Sequence, residues 1–339
     1  MKDLVVVGAG PAGLATALYA ARSGLDVVVL ERRQGEQDKA CGEGLMPGAL
    51  AALHSLGVDA VGHRITGIRY LDGRRQVEAA FRRGPGRGIR RPTLHRALLD
   101  AAGRAGIPIR QALVSDVVQG EGHVRAGGVS ARYLVAADGL HSSVRRALRL
   151  EAAPRGGRRF GLRQHFACAP WTDLVEVHWG PSAEAYVTPV GNHLVGVALL
   201  TGARGPFREQ LRQFPVLSER LRGAAPATDQ RGAGPLNQPA RRRVAGRVLL
   251  VGDAAGYVDA LTGEGLGVAV RCARELVDCV VRDRPQDYEV AWSRVTRETR
   301  LLTRALVAVA ASPGLRRVVV PTAERLPGVF AGAVDRLAR

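Results

Sequence analysis

Apolar and polar positions follow two different periods along this chain, and the switches between them lay out its architecture. Residues 4–7 form an unbroken apolar run ended by Gly8, residues 14–21 repeat apolar positions at helical spacing, and residues 27–30 form a second unbroken run. Runs without alternation suit strands buried on both faces, and strand, helix, strand in that order begins a parallel sheet. A helix is expected from Pro47, which suits a first helical turn, through Leu56, with Gly57 as its stop. Residues 65–70 and 76–81 alternate on either side of Asp72-Gly73, a hairpin signal. The glycine-rich stretch 84–88 then leads into a helix from Pro92 to about Ala105.

Residues 114–119 and 123–129 read as a second antiparallel pair, and 133–137 returns to the parallel sheet. Between 160 and 200 the pattern alternates, interrupted at Pro170, at Trp179-Gly180-Pro181 and at Gly191-Asn192, which predicts an antiparallel sheet with one exposed face. Residues 248–251 are again a buried run, followed by a helix from about Glu264 to Arg282. The remainder reads as helical and basic, with Pro285, Pro313, Pro321 and Pro327 as breakers. The fold class is therefore α/β. A discontinuous Rossmann-like domain draws on 1–60, 88–155 and 244–285, an inserted antiparallel β-sheet substrate domain on 61–87 and 156–243, and a C-terminal helical extension on 286–339. The length of 339 residues agrees with more than one substructure, since single cores stop growing near ~250–300 residues.

Composition narrows the function. Apolar residues at 46% and charged residues at 24% exclude a disordered chain. No run reaches the ~18 apolar residues of a membrane span. Asp3, Gly8 and Gly10 interrupt the opening run, which otherwise imitates a signal peptide, so a cytoplasmic location is expected. Forty-nine basic against 31 acidic residues give a net charge of +18, yet every basic residue except Lys2 and Lys39 is arginine, the mark of a GC-rich genome. With aromatics at 4% there is no stacking platform, so nucleic acid is not an expected partner, whereas loose attraction to anionic lipid is. Cys41, Cys168, Cys272 and Cys279 form no CxxC pair and no zinc spacing, so no metal is expected and a reduced compartment fits. The oligomeric state stays open.

Gly8-Ala9-Gly10-Pro11-Ala12-Gly13 follows the first strand and opens the first helix. The first glycine makes the tight turn, the second admits a pyrophosphate, the third lets helix pack on strand, and the helix N-terminus faces the negative charge. Glu31, at the end of the next strand, stands where a carboxylate accepts ribose hydroxyls. Two distant segments repeat the theme of an acid and a glycine at a strand end: Asp138-Gly139, continuing to Ser142 and Arg145, and Gly252-Asp253-Ala254-Ala255-Gly256, followed by Thr262-Gly263-Glu264-Gly265 at a helix start.

These three motifs in this order resemble the FAD-dependent oxidoreductases of the p-hydroxybenzoate hydroxylase fold, over the chain to about Arg284. The resemblance implies that Gly8, Gly10, Ala12, Gly13, Glu31 and Arg32 bind the ADP half of FAD. Arg91, in an Arg-x-x-Leu-x-x-x-Leu pattern, would meet the phosphates, and Val114 would touch adenine through its backbone. Asp253 and Ala254 would hold the ribityl side, Gly42, Gly263, Gly265 and Leu266 would surround the ring, and Asp138-Gly139 would serve both FAD and the reducing nicotinamide. No second GxGxxG is present, so NAD(P)H, the implied reductant, would visit without a Rossmann domain of its own.

The segment Lys39-Ala40-Cys41-Gly42-Glu43-Gly44 is similar to the geranylgeranyl reductase branch, and a Gly-Glu-Ser version occurs in flavin halogenases. The short chain also resembles small flavin hydroxylases of secondary metabolism that act on long-chain phenols. The reading taken is an NAD(P)H-reduced, FAD-dependent monooxygenase of a hydrophobic aromatic substrate. The alternatives are a flavin reductase of isoprenoid double bonds and a non-catalytic flavin-binding module. Cys41 and Tyr186 are the candidate catalytic residues, though either equally suits a core position. His165 and His178 sit on alternating strands, where facing solvent is the plain reading; Arg163 and His165 share one strand face, and nothing in the sequence says which face is inward.

Overall fold

The computed structural model describes residues 1–154 and 156–338. Its first sheet runs in the order Val244–Ala245, Val248–Leu250, Val129–Ala136, Lys2–Val7, Val27–Glu31, Ile109–Gln111. From Val248–Leu250 onward all neighbours on this path are parallel. The apolar runs explain it: Leu4, Val5, Val6, Val28, Val29, Leu134 and Val135 are fully buried, because helices rather than water meet the sheet. The helix Pro11–Arg22 packs on the helices Gly265–Val281 and Arg91–Arg104, so three segments far apart in sequence meet around it. The antiparallel pair Val117–Gly120 and His123–Ala126 extends from Val129–Ala136.

The second sheet runs in the order Ala225–Pro226, Phe160–Ala167, Leu194–Thr201, Ala183–Gly191, Leu174–Trp179, Gly67–Leu71, Gln76–Ala80, with Arg231–Ala233 also paired to Phe160–Ala167. It departs from the expected sheet in two respects. Leu174–Trp179 pairs in parallel with Gly67–Leu71, where the early hairpin docks. Neither face is left open. One is covered by the short helices Phe207–Leu211 and Pro215–Arg220, over Phe166, Ala183, Ala185, Val195, Val197 and Leu199. The other bears Ile68, Val77, Val175, Val177 and Trp179 and is roofed by Ala310, Val320, Phe330 and Val334 of the C-terminal helices. Alternation read from a single strand cannot reveal a cover contributed by the last tenth of the chain.

The C-terminal prolines act as starters more than breakers. Pro313 and Pro327 stand at the first position of Pro313–Arg316 and Pro327–Leu337, and Pro321 sits inside the first turn of Val319–Arg325. Their missing N–H falls where a helix has no partner for one. No described helix is long and apolar enough to cross a membrane. A small third sheet runs in the order Gly44–Leu45, Gly86–Gly88, His63–Ile65.

Candidate functional site

The end of Lys2–Val7 and the start of Pro11–Arg22 make a tight phosphate-type turn. A side chain at Gly8, whose φ is +104°, would stand 2.6 Å from the Ala137 carbonyl oxygen, and one at Gly13 would stand 1.9 Å from the Gly8 carbonyl oxygen. Both glycines are required by packing within the protein. Gly10 differs: a built Cβ meets nothing within 4 Å, and the helix behind it has no side-chain cap on its first N–H groups. That open, donor-rich N-terminus is where an anionic ligand is stabilised. Ala12 lies partly buried on this first turn.

Glu31 braces the turn. One carboxylate oxygen accepts the Ala9 N–H at 2.7 Å and the other the Arg33 N–H at 3.0 Å. Burial acts to raise the Glu31 carboxyl, but these N–H groups outweigh it and hold it below the usual range. His95, absent from the sequence reading, completes the brace. Its Nδ1 accepts the Gln37 N–H at 3.1 Å, so Nε2 carries the proton and donates to the Ala9 carbonyl at 2.8 Å. Burial pushes this imidazole below its ordinary value. Arg32 is exposed, and Val114 is buried in the core below the sheet edge.

Asp138 and Asp253 approach from the other two motifs. The Asp138 carboxylate accepts the Ser143 hydroxyl at 3.1 Å and the Val144 N–H at 3.2 Å through one oxygen, while the other is buried without a partner among the described residues. Buried Arg145 ties the two motifs together, donating to the Leu140 carbonyl at 2.8 Å, Ala254 at 3.1 Å and Asp253 at 3.2 Å. No described residue donates a hydrogen bond to the Asp253 side chain. Burial pushes its carboxyl up, against the pull of Arg91, Lys39 and Arg145. The Lys39 ammonium, near Gly139, is in turn pushed down by burial and by Arg91. Arg91, first residue of its helix, has a buried Nε with no partner among the described residues. Gly263 lies by Met46, Gly265 by Tyr257, and Leu266 is partly buried at the start of Gly265–Val281. Burial pushes buried Glu264 up to about 7 in spite of Arg271 nearby.

Cys41 and Gly42 border this region. Burial pushes the Cys41 thiol up, Arg91 and Arg163 opposing, so it is a protonated thiol and not an activated thiolate. The Tyr186 hydroxyl donates to the Leu261 carbonyl at 2.6 Å, and burial, with Tyr70 and Glu184 nearby, holds it well above the usual phenol range. Tyr186 therefore fixes the 257–262 loop and offers no acid or base. Its ring lies in the apolar cluster of Met46, Tyr70, Trp179, Tyr257 and Leu261. Where solvent is the plain reading for His165 and His178, with the inward face left open by the sequence, the structure corrects it: both are buried. His165 pairs with Glu43, 122 residues away, and His178 with Glu176 two residues back on its own strand, polar partners that make inward histidines tolerable. Among the described residues no group of His, Cys, Asp and Glu could hold a metal ion.

The donor set fits a dinucleotide. An open helix N-terminus, the orphaned Arg91 Nε and Lys39 suit phosphates, and the unpartnered Asp138 oxygen and the half-buried Asp253 carboxylate suit hydroxyl or ring N–H donors. Comparison with known proteins points the same way. Residues 1–280 match the FAD binding domain family. The chain is 29% identical to a menaquinone reductase of Mycolicibacterium smegmatis, covering 95% of this chain and 88% of that protein. It is 28% identical to digeranylgeranylglycerophospholipid reductase 1 of Methanopyrus kandleri, covering 94% and 92%. Among solved structures it is similar to the halogenase PltM in complex with phloroglucinol and FAD, with a TM-score of 0.77 at 17% identity, covering 98% and 86%.

Proposed function

The chain belongs to the FAD binding domain family and is an FAD-dependent oxidoreductase, and from that premise we propose that it saturates carbon–carbon double bonds of an isoprenoid chain. Similarity to named reductases over nearly the whole chain supports this reading, whereas the likeness to halogenases is one of fold. The observation that carries it is that near full-length similarity, and the Cys41 sulfur, which accepts the Glu43 N–H at 3.4 Å, suits the chemistry. Saturating an alkene takes one hydride and one proton. Reduced FAD, when bound, supplies the hydride, and NAD(P)H is the reductant we assign to it. Cys41 supplies the proton. The thiolate left behind is stabilised by the Glu43 N–H, which donates to its sulfur at 3.4 Å, and by Arg91 and Arg163. The apolar cluster around Tyr186, Tyr257 and Met46 receives the chain and excludes water.

Hydroxylation of a hydrophobic phenol is the second reading. It is favoured by Tyr186-Val187-Thr188-Pro189, a segment that resembles only in part the aromatic-rich one carried by the geranylgeranyl reductase branch. Reduced protein is given geranylgeranyl compounds and long-chain resorcinols separately, without oxygen and then in labelled dioxygen. Anaerobic saturation of the prenyl chain is the expected result. One labelled oxygen atom in a phenolic product, with no saturation, would establish the second reading instead.

A further inference from the structure

Glu43 has a φ of +59°, a left-handed conformation that suits glycine, yet it bears a buried side chain between Gly42 and Gly44. That side chain spans two domains. One oxygen accepts the N–H of Arg91 at 2.8 Å, the first residue of a helix that has no cap from its own preceding residue. The other meets His165 Nε2 at 2.6 Å. The proton on that contact can be assigned by elimination. His165 Nδ1 has two partners, Arg163 Nη1 at 3.0 Å and the Thr228 hydroxyl at 2.9 Å; the guanidinium can only donate and the hydroxyl is able to, so Nδ1 is the acceptor and Nε2 carries the hydrogen. Both Glu43 oxygens are therefore acceptors at once. The backbone around them is pinned as well. The Thr188 hydroxyl donates to the Gly42 carbonyl at 2.7 Å, the Ile89 N–H to the Glu43 carbonyl at 2.8 Å, and Arg163 to the Asp38 carboxylate.

We propose that Glu43 is a positioning residue of the flavin site, coupling the substrate sheet through His165 to Arg91 and to the Cys41–Gly42 backbone. The coupling needs a carboxylate. A glutamine has one acceptor and one donor: with its oxygen toward Arg91, its amide N–H groups oppose the Nε2 hydrogen, and the reverse orientation opposes the Arg91 N–H. The conflict disappears when His165 is replaced by leucine. The inference is independent of which substrate the enzyme reduces, because its readouts are properties of bound flavin.

The test compares wild type, Glu43→Gln, His165→Leu and the double variant, each stripped of flavin. FAD affinity by fluorescence quenching, the visible spectrum of the bound flavin and the thermal midpoint of the apoprotein are measured. Glu43→Gln is expected to weaken FAD binding by about tenfold or more and to shift the flavin band. In the His165→Leu background the same substitution should change affinity by less than about threefold, a departure from additivity that contacting groups show. Unchanged affinity and spectrum in Glu43→Gln, with only a lowered midpoint, would reduce Glu43 to a structural strut. Equal losses in both backgrounds would remove the coupling. Should Glu43→Gln not fold, Glu43→Gly relieves the left-handed backbone, and wild-type FAD affinity in that variant overturns the proposal.

Discussion

Two residues at the edge of the cofactor region are poised oppositely, and each can be tested alone. Burial lifts the Cys41 thiol, so at neutral pH it reacts as a thiol and not as a thiolate. Iodoacetamide should label Cys41 slowly at pH 7, accelerating only above the ordinary thiol range, as followed by mass spectrometry of the labelled peptide. Cys41→Ala should keep FAD and the fold while lowering the rate of alkene saturation by roughly 10²-fold, the low end of proton-transfer catalysis. Rates within threefold of wild type would remove the proton-donor role. Asp253 is the converse case, a half-buried carboxylate to which no described residue donates a hydrogen bond. A cofactor donor to this group makes a charge-assisted bond worth about 1.5–3 kcal/mol, so Asp253→Ala should raise the FAD dissociation constant some tenfold to hundredfold. Stability of the apoprotein should hold, since no protein hydrogen bond to that side chain is lost.

Among the elements, the phosphate turn separates what the fold needs from what the ligand needs. Gly13→Ala drives a Cβ to within 1.9 Å of the Gly8 carbonyl oxygen, so helix and strand must part and the apoprotein itself should lose stability. Gly10→Ala meets no protein atom within 4 Å. Its apoprotein should melt within a degree or so of wild type while FAD affinity falls steeply, and calorimetry with and without FAD distinguishes the two. This turn was legible in the sequence because its chemistry is local: strand, three glycines, helix and Glu31 lie within one supersecondary unit. Glu43, His95 and His165 were not legible, because their roles arise from partners 48 to 122 residues away. Period-two alternation put Arg163 and His165 on one face but carried no sign of which face turned inward. Tyr186 was legible as a special position and not in its role, since a hydroxyl bound to the Leu261 carbonyl looks the same in sequence as one aimed at a substrate.

Across the whole molecule, buried ion networks fasten the second sheet to what surrounds it. Arg316, from the short helix Pro313–Arg316, pairs at 2.5 Å with Glu184, which Arg159 also meets at 2.6 Å while holding Asp259 at 2.9 Å. This joins the C-terminal roof, the sheet and the loop after Asp253. Arg316→Ala strands part of a fully buried carboxylate and should cost about 3–5 kcal/mol in urea unfolding, far beyond a surface arginine. The second network gives the pH dependence its sign. Glu176 takes Arg69 at 2.8 Å, Arg220 at 2.9 Å, the Trp171 indole at 3.0 Å and His178 at 3.1 Å. Burial alone would raise its carboxyl, but the His178 and Trp171 hydrogen bonds, with His178 and Arg220 charge, bring it to about 2, against an ordinary 4.5. A carboxyl lowered by folding contributes its stability fully above the unfolded value and loses it as pH falls toward the folded one. The contribution, about 3 kcal/mol at about 1.4 kcal/mol per unit, should therefore disappear between pH 4.5 and 2. Wild type and Glu176→Gln should differ most in unfolding free energy above pH 5 and converge as pH approaches 2. Parallel curves across that window would mean that another group controls the acid limb.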